Sequence, residues 1–491
     1  MTDKEASPYL VIPNPIKLNL GCGHDYREGY INVDKYSTSK ADQILDLESL
    51  PWPWETNSAQ EVVLRHILEH IGQSTELYKQ IIQELYRVCA PNAIVHIEVP
   101  HPFHPDYIGD PTHCRPITAQ GLWLFNLDDN RYIIKQEWPS STLAMYWDVD
   151  FNMLENIEYM DQDTHILKWS KMTLQARKKV KMCLNTQGIG DICMCLSAAH
   201  ALHDAGYRVS MVAQESFYPL ILACPYIDHV TADREGERYL TSAWYHFQAA
   251  HEVDTYCRAC GIPADSNPES KSLVINVPKE ITEEMRQKYP GKNRIVIHPA
   301  GRVPSRHWPD SYWQELASRL LAEGIQVVAT GMSDWLGDAT LRLDGVVNEF
   351  DLSPFHTIAL MNQCSLFIAP DSGPIQLAGA TDCGILGLYS VILPEHRLPY
   401  RHGRMGWNAK GLVTSCPHAG CYNEMTTGEE EDFVWAPAAS QRLWDGESMG
   451  HMIHTWCLNE AEPYSCMSLI TVDQVFAEAM KMYGSFGEPV I

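Results

Sequence analysis

Leu366-Phe-Ile-Ala-Pro-Asp-Ser-Gly-Pro-Ile-Gln-Leu-Ala-Gly-Ala-Thr-Asp-Cys-Gly-Ile-Leu-Gly-Leu-Tyr-Ser390 is the stretch whose reading decides the fold. Residues 366–369 form a short apolar run of the kind that makes a buried strand. Ser372, Gly373 and Pro374 follow as a helix start, with a hydroxyl or glycine at the cap and proline in the first turn. The helix they open is small-sided, with Ala378, Gly379 and Ala380, and can lie close to a sheet; it is expected to end at Cys383-Gly384. Residues 385–389 are the next strand. The unit is strand–helix–strand, with a helix N-terminus opening at the carboxyl end of a parallel strand. Free N–H groups and the helix dipole favour an anion there. Asp371 is placed to orient a hydroxyl of a ligand; capping of the helix by Asp371 and Ser372 is the alternative.

Moving outward, two further stretches have the same character. Gly188-Ile-Gly-Asp191 follows an apolar strand at 180–184 and precedes a long helical pattern. His298-Pro-Ala-Gly301 follows a strand at 294–297 and leads through Arg306-His-Trp-Pro309 into a helix. "GIGD", "HPAG…RHWP" and "DSGP", in this order and spacing, resemble glycosyltransferase family 9, the family of ADP-heptose:lipopolysaccharide heptosyltransferases. The resemblance runs from about residue 180 to the C-terminus. It implies a GT-B fold of two Rossmann-like halves and transfer from a nucleotide-diphosphate sugar to a glycan or other glycoconjugate, with inversion and without a metal. Asp191 then stands at the position of the general base, and a helix beginning just after it makes capping the alternative. Arg306 stands where lysine is common and would neutralise the departing diphosphate. Asp334 would contact the nucleoside. Asp371, Ser372, Gly373, Pro374 and Gln376 would hold the donor sugar and diphosphate. Gln376 replaces a histidine common in heptosyltransferases, which leaves the sugar open.

The first third of the chain carries a different signal. Residues 16–20 read as a strand running into Gly21-Cys22-Gly23, and residues 30–33 as a second strand ending in Asp34. A glycine turn after one strand and an acid at the end of the next suit a nucleoside, whose ribose hydroxyls a carboxylate accepts. "LNLGCG", "GYINVD", "DLESLPWP", "HILEHI" and "ELYRVCAPN" together resemble the class I S-adenosylmethionine-dependent methyltransferases. The resemblance implies that Gly21 and Gly23 approach the methionine part of the cofactor, that Asp34 holds the ribose, and that Asp46 and Leu47 lie beside the adenine. The turn at Pro91-Asn92-Ala93 often carries Pro-Gly-Gly in that family, and asparagine tolerates positive φ. His101 and His113 are candidates for the methyl-acceptor site, with loop structure as the alternative. His66 and His70 stand one helical turn apart around Glu69 without an evident third ligand, so no metal is expected.

The predicted fold is therefore α/β, with an N-terminal Rossmann-like methyltransferase domain (1–175), a GT-B acceptor half (176–290) and a GT-B donor half (291–491) that ends in a helix crossing back. Residues 132–134, 145–149 and 156–160 are expected as strands completing the first sheet, and residues 168–179 as a linker or linking helix. Residues 239–260 are expected to be helical.

Composition bounds the rest. The 491 residues are 45% hydrophobic and 20% charged, with a net charge of −25. That balance argues against a broad nucleic-acid face. No apolar run is long enough to span a membrane, and the N-terminus has no signal layout, so a cytoplasmic location is expected. Fifteen cysteines fit buried thiols of a reducing compartment. Cys416, Cys421, Cys457 and Cys466 stand apart from this pattern, with structural thiols weighed against a zinc or disulfide site. Two alternatives accompany the fused-enzyme reading: a glycosyltransferase whose first domain only binds, and an enzyme adding sugar to a modified nucleic-acid base.

Overall fold

The structure is a computed structural model that describes residues 15–184, 188–232, 239–240, 251–260, 262, 266–300, 304–333, 341–421, 426–427, 434–435, 457–459 and 462–484. The chain divides into two compact units. One comprises Leu10–Val180 with Ala205–Arg208; the other comprises Lys181–Asp204 and the chain from Val209 on, together with the first residues.

In the first unit, β1 (Ile16–Leu20), β2 (Ile31–Asp34), β3 (Gln43–Ile44), β4 (Ala59–Arg65), β5 (Cys89–Pro100), β6 (Phe151–Met160) and β7 (Leu167–Ala176) form one sheet in the order β3-β2-β1-β4-β5-β7-β6. All neighbours are parallel except β7, which runs against both β5 and β6. The strand order reverses at β1, which lies between β2 and β4. Ligands of open α/β sheets bind at such a switch point, beyond the carboxyl ends of the strands. Helix Thr75–Val88, capped by Ser74 on the Leu77 N–H, places Ile81, Ile82 and Leu85 in the core with Leu18, Val62, Val95 and Leu174. Asn92 adopts φ +61° within β5, where the pairing with β4 slips register, rather than in a turn before the strand.

Residues 126–178 depart from expectation. Residues 132–134 and 145–149 are not strands: the chain forms helices Leu127–Lys135 and Leu143–Tyr146. Asn126 caps the first of these by accepting from the N–H groups of Asp128 and Asp129, and that local bond outweighs the β-preference of Tyr132 and Ile133. Residues 168–179 are not a linker or linking helix either. They hold β7, whose Ser170, Met172, Leu174 and Ala176 are buried in alternation while the charged positions face outward.

The second unit contains two parallel sheets, the arrangement of a GT-B fold. One has the order β10-β9-β8-β11, from β8 (Lys178–Leu184), β9 (Tyr207–Val212), β10 (His229–Thr231) and β11 (Tyr239–Leu240). Residues 239–240 are thus strand, and among the described residues of the expected 239–260 stretch the helix is Glu252–Ala259; residues 241–250 lie outside the described residues. The other sheet has the order β14-β13-β12-β15-β16-β19. Its strands are β12 (Arg294–Ile297), β13 (Gln326–Gly331), β14 (Val347–Phe350), β15 (Leu366–Pro370), β16 (Gly384–Tyr389) and β19 (Ala409–Val413), with a small hairpin of β17 (Tyr400–Arg401) and β18 (Arg404–Met405) before the last. Every residue of β12, β15 and β16 is buried, as a parallel strand covered on both faces must be. The terminal helix Val472–Gly484 packs on this same sheet through Val472, Val475 and Ala479. Among the described residues no helix is long and apolar enough to cross a membrane.

Candidate active sites

The opening stretch folds as strand β15, helix Gly373–Ala378 and strand β16. The helix is shorter than its sequence suggested, with Gly379 as its C-cap. Its N-cap residue Ser372 is extended but makes no capping bond, and its hydroxyl is buried without a hydrogen-bond partner. Asp371 is 6% exposed, and its Oδ2 accepts no hydrogen bond but lies 3.4 Å from Arg306 Nη1. Neither side chain therefore serves the helix as a cap. Pro374 occupies the first turn, where its missing N–H costs nothing.

Helix Ile189–Asp204 meets this unit at its own start. A Cβ on Gly190 would lie 3.1 Å from Gly373 Cα, and a Cβ on Gly373 would lie 2.5 Å from Ile189 Cγ2. The two helix starts that the sequence marked separately thus touch, glycine against glycine. Asp191 lies inside the first turn of its helix rather than before it, so it is not the N-cap residue.

A buried cation sits among these acids. Arg397 is 8% exposed, and its Nη1 lies 2.8 Å from Glu252 Oε2. Burial works against its charge, but Glu252, Asp371 and Asp191 together outweigh it and hold the guanidinium protonated. Glu252 also accepts from the Tyr256 hydroxyl at 2.9 Å. Gln376 does not open to a ligand through its amide: it is 5% exposed and donates to the Arg397 carbonyl at 2.6 Å. Sequence reasoning missed Arg397 and Glu252, which no motif spacing connects. Asp334 lies outside the described residues. Cys416, Cys421, Cys457 and Cys466 line one small cavity of about 20 Å³ together with His418. The Tyr464 N–H donates to Cys457 Sγ at 3.3 Å from a left-handed turn.

In the first unit, Gly21 (φ +68°) and Gly23 (φ +51°) form the turn after β1. A Cβ on Gly21 would come within 2.6 Å of Ile67 Cγ1, whereas the space around Gly23 is open. Asp34, at the end of β2, accepts from the Gly23 N–H at 2.8 Å and the Tyr36 N–H at 2.9 Å. A carboxylate with two bonds made still has acceptor capacity for a ligand. Asp46 is exposed and accepts from the Glu48 N–H, while the Leu47 side chain is in the core and its carbonyl accepts from Trp52 Nε1.

Beside this turn lies a cleft of about 510 Å³, lined by His66, Glu69, His70, Glu98, Asp110 and His113 among others. His113 is in it. His101 is not part of that lining; its Nδ1 faces the Phe103 N–H. The His66–His70 stretch is a turn rather than a helix, with His66 at φ +52°, and it is His113 that pairs with His70, ring centroids 4.5 Å apart.

Residues 196–425 match the model of glycosyltransferase family 9 (heptosyltransferase). A family 9 domain is thereby supported over a little under half of the chain. The matched stretch includes Arg306 and residues 371–376 and begins just after Asp191. Among solved structures, the family 9 glycosyltransferase of Veillonella parvula is 16% identical, covering 63% of this chain and 97% of its own, with a TM-score of 0.44. The iron-containing dodecameric glycosyltransferase TibC of enterotoxigenic E. coli is 15% identical, covering 68% and 86%, with a TM-score of 0.47. A SAM-dependent methyltransferase of Archaeoglobus fulgidus is 16% identical, covering 34% and 88%, with a TM-score of 0.24. No curated protein matches the chain in sequence.

Proposed function

We propose that the chain is a two-activity enzyme: an inverting glycosyltransferase that uses a nucleotide-diphosphate sugar, fused to an S-adenosylmethionine-dependent methyltransferase, both acting on a glycoconjugate. The observation that carries the first activity is the cluster of Asp191, Asp371, Arg306 and Arg397 at two touching helix starts, within or beside the family 9 match. Asp191 takes the proton of an acceptor hydroxyl as its oxygen attacks the anomeric carbon. The bond from that carbon to the diphosphate breaks, and the leaving group departs with its negative charge. Arg306, a quarter exposed, meets that charge, so that transfer needs no metal ion at this site. Asp371 holds Arg306 in place until the donor arrives.

The second activity is supported by the switch point at β1, the glycine turn, and Asp34 at the end of β2. The sheet's switch point is where a nucleoside belongs.

The test is a panel of ADP-, GDP-, UDP- and CDP-sugars read by thermal shift and by release of nucleoside diphosphate. One nucleotide should raise the melting temperature, and Arg306→Ala should lose that shift while Arg306→Lys keeps most of it. No shift with any donor would remove the glycosyltransferase reading. Calorimetric titration with S-adenosylmethionine tests the other half, and absence of binding heat would leave the first unit as a binding domain only.

A further inference from the structure

We propose that Glu69, His70 and His113 bind a divalent first-row transition cation in the cleft of the first unit. One ligand atom from each of the three lies within 4.8 Å of the others. Glu69 is fully buried, yet neither of its oxygens accepts a hydrogen bond. A carboxylate removed from water in this way is ordinarily paired or bound to a metal. Its nearest basic neighbour is His66, with Nδ1 at 3.5 Å. The stronger cations of the cleft are engaged elsewhere: Arg65 Nε with Glu98 at 2.8 Å and Lys168 Nζ with Asp161 at 3.2 Å.

The hydrogen bonds behind the two imidazoles set their tautomers. His113 Nδ1 lies 2.7 Å from the Tyr107 carbonyl, which can only accept, so Nδ1 carries the proton and Nε2 keeps its lone pair. The Tyr107 ring stacks on His113 at 5.0 Å and fixes its plane. His70 Nδ1 lies 2.9 Å from Thr112 Oγ1. That hydroxyl donates to Asp110 Oδ1 at 2.6 Å, so toward His70 it accepts, and His70 also keeps its lone pair on Nε2. A ligating histidine almost always has its other N–H held by a carbonyl or a carboxylate-backed group. Both histidines here have that support before any ion arrives.

Two imidazole nitrogens and one carboxylate oxygen suit zinc, iron, cobalt or manganese better than magnesium or calcium, which prefer oxygen. Three protein ligands leave positions open to the cleft for water or an oxygen-bearing ligand. The site lies just past the carboxyl ends of β4 and β5, and Ile67 between His66 and Leu68 packs on Gly21 of the cofactor turn. On the methyl-transfer reading the ion would face the methyl acceptor, but its binding does not depend on that reading.

The experiment is a Co²⁺ titration of the full chain after stripping with a chelator, followed by visible absorption. A single equivalent should give weak ligand-field bands of a nitrogen–oxygen site, separable from the intense thiolate charge transfer of any ion in the cysteine cavity. Zn²⁺ should displace it and Mg²⁺ should not. Glu69→Gln and His113→Ala should each abolish those bands, with the circular dichroism spectrum confirming that the variant is folded. Thr112→Val should weaken binding about 10–100-fold through loss of the support to His70. Because His113 lies in the loop after β5 and outside the hydrophobic core, its variant keeps the test decisive if Glu69→Gln does not fold. Absence of the nitrogen–oxygen bands in the wild type, or their persistence in His113→Ala, overturns the site. S-adenosylmethionine affinity, measured on the same samples, reports on the methyltransferase reading separately.

Discussion

Gly190 and Gly373 hold two helix starts in contact: a Cβ on the first would reach 3.1 Å from the Cα of the second. The reverse substitution is tighter, since a Cβ on Gly373 would reach Ile189 Cγ2 at 2.5 Å. Gly373→Ala should therefore push the helices apart and cost about 1–3 kcal/mol. Donor-induced thermal stabilisation should fall with it. A variant with wild-type melting temperature and donor response would show that the contact is slack.

Asp191 sits in the first turn of its helix and not at the cap. Asp191→Asn should leave the fold and donor affinity nearly unchanged and slow turnover roughly 10²–10⁴-fold, because an amide cannot take the acceptor's proton. Stability, nucleotide affinity and turnover measured on one sample decide the matter; preserved turnover would take Asp191 out of the chemistry.

Breaking the Arg397–Glu252 pair should be costly. Both side chains are under a tenth exposed, so Glu252→Gln strands a guanidinium away from water. The expected loss is about 3–5 kcal/mol, measured by denaturant unfolding. Asp371 and Asp191 still face Arg397, and a loss well under 1 kcal/mol would mean that they suffice to hold it.

His251 gives the second unit a sensitivity to acid. Burial pushes its pKa down to about 4, against the opposing pull of the Leu398 carbonyl, Asp254 and Glu252, with Arg397 adding to the depression. Its Nε2–H donates to Leu398 O at 2.9 Å while Nδ1 accepts from the Val253 N–H at 3.2 Å, so a second proton has no place. The unfolded histidine takes a proton near pH 6.5 and the folded one near 4. Between those values the unfolded state holds more protons, and stability falls as pH falls, by about 1.4 kcal/mol per pH unit at most. His251→Gln, which removes the titration, should flatten unfolding free energy against pH in that window. An unchanged slope would assign the acid sensitivity to other groups.

The sequence made the second unit's donor half readable because apolar runs there are punctuated by glycine and proline. Leu366 to Pro370 and Gly384 to Tyr389 are buried at every position, and nothing in their local pattern competes with strand. β7 was misread because its alternation changes phase: Leu167 and Trp169 are apolar on one parity, Met172, Leu174 and Ala176 on the other, with Ser170 and Lys171 between them. The acids and glycines of both candidate sites stood in short motifs. Arg397 and Glu252 did not, since 145 positions separate them and only the fold brings them together. The pairing of His70 with His113 was hidden for the same reason: the second lies in a loop whose path depends on where β5 ends.

Ala205–Arg208 belong with the first unit although the helix Ile189–Asp204 before them belongs with the second. Arg208 reaches Asp128 at 2.8 Å and the fully buried Asp150 at 3.2 Å, and a Cβ on Gly206 would overlap the Asn92 amide. A ribosome making this protein releases β1 to β7 first, yet Asp150 then has only Arg177 for a cationic partner among the described residues up to Val180. The earlier-made part of the molecule is thus completed by a later-made segment: Asp150 gains its second cationic partner only once residue 208 has been synthesised.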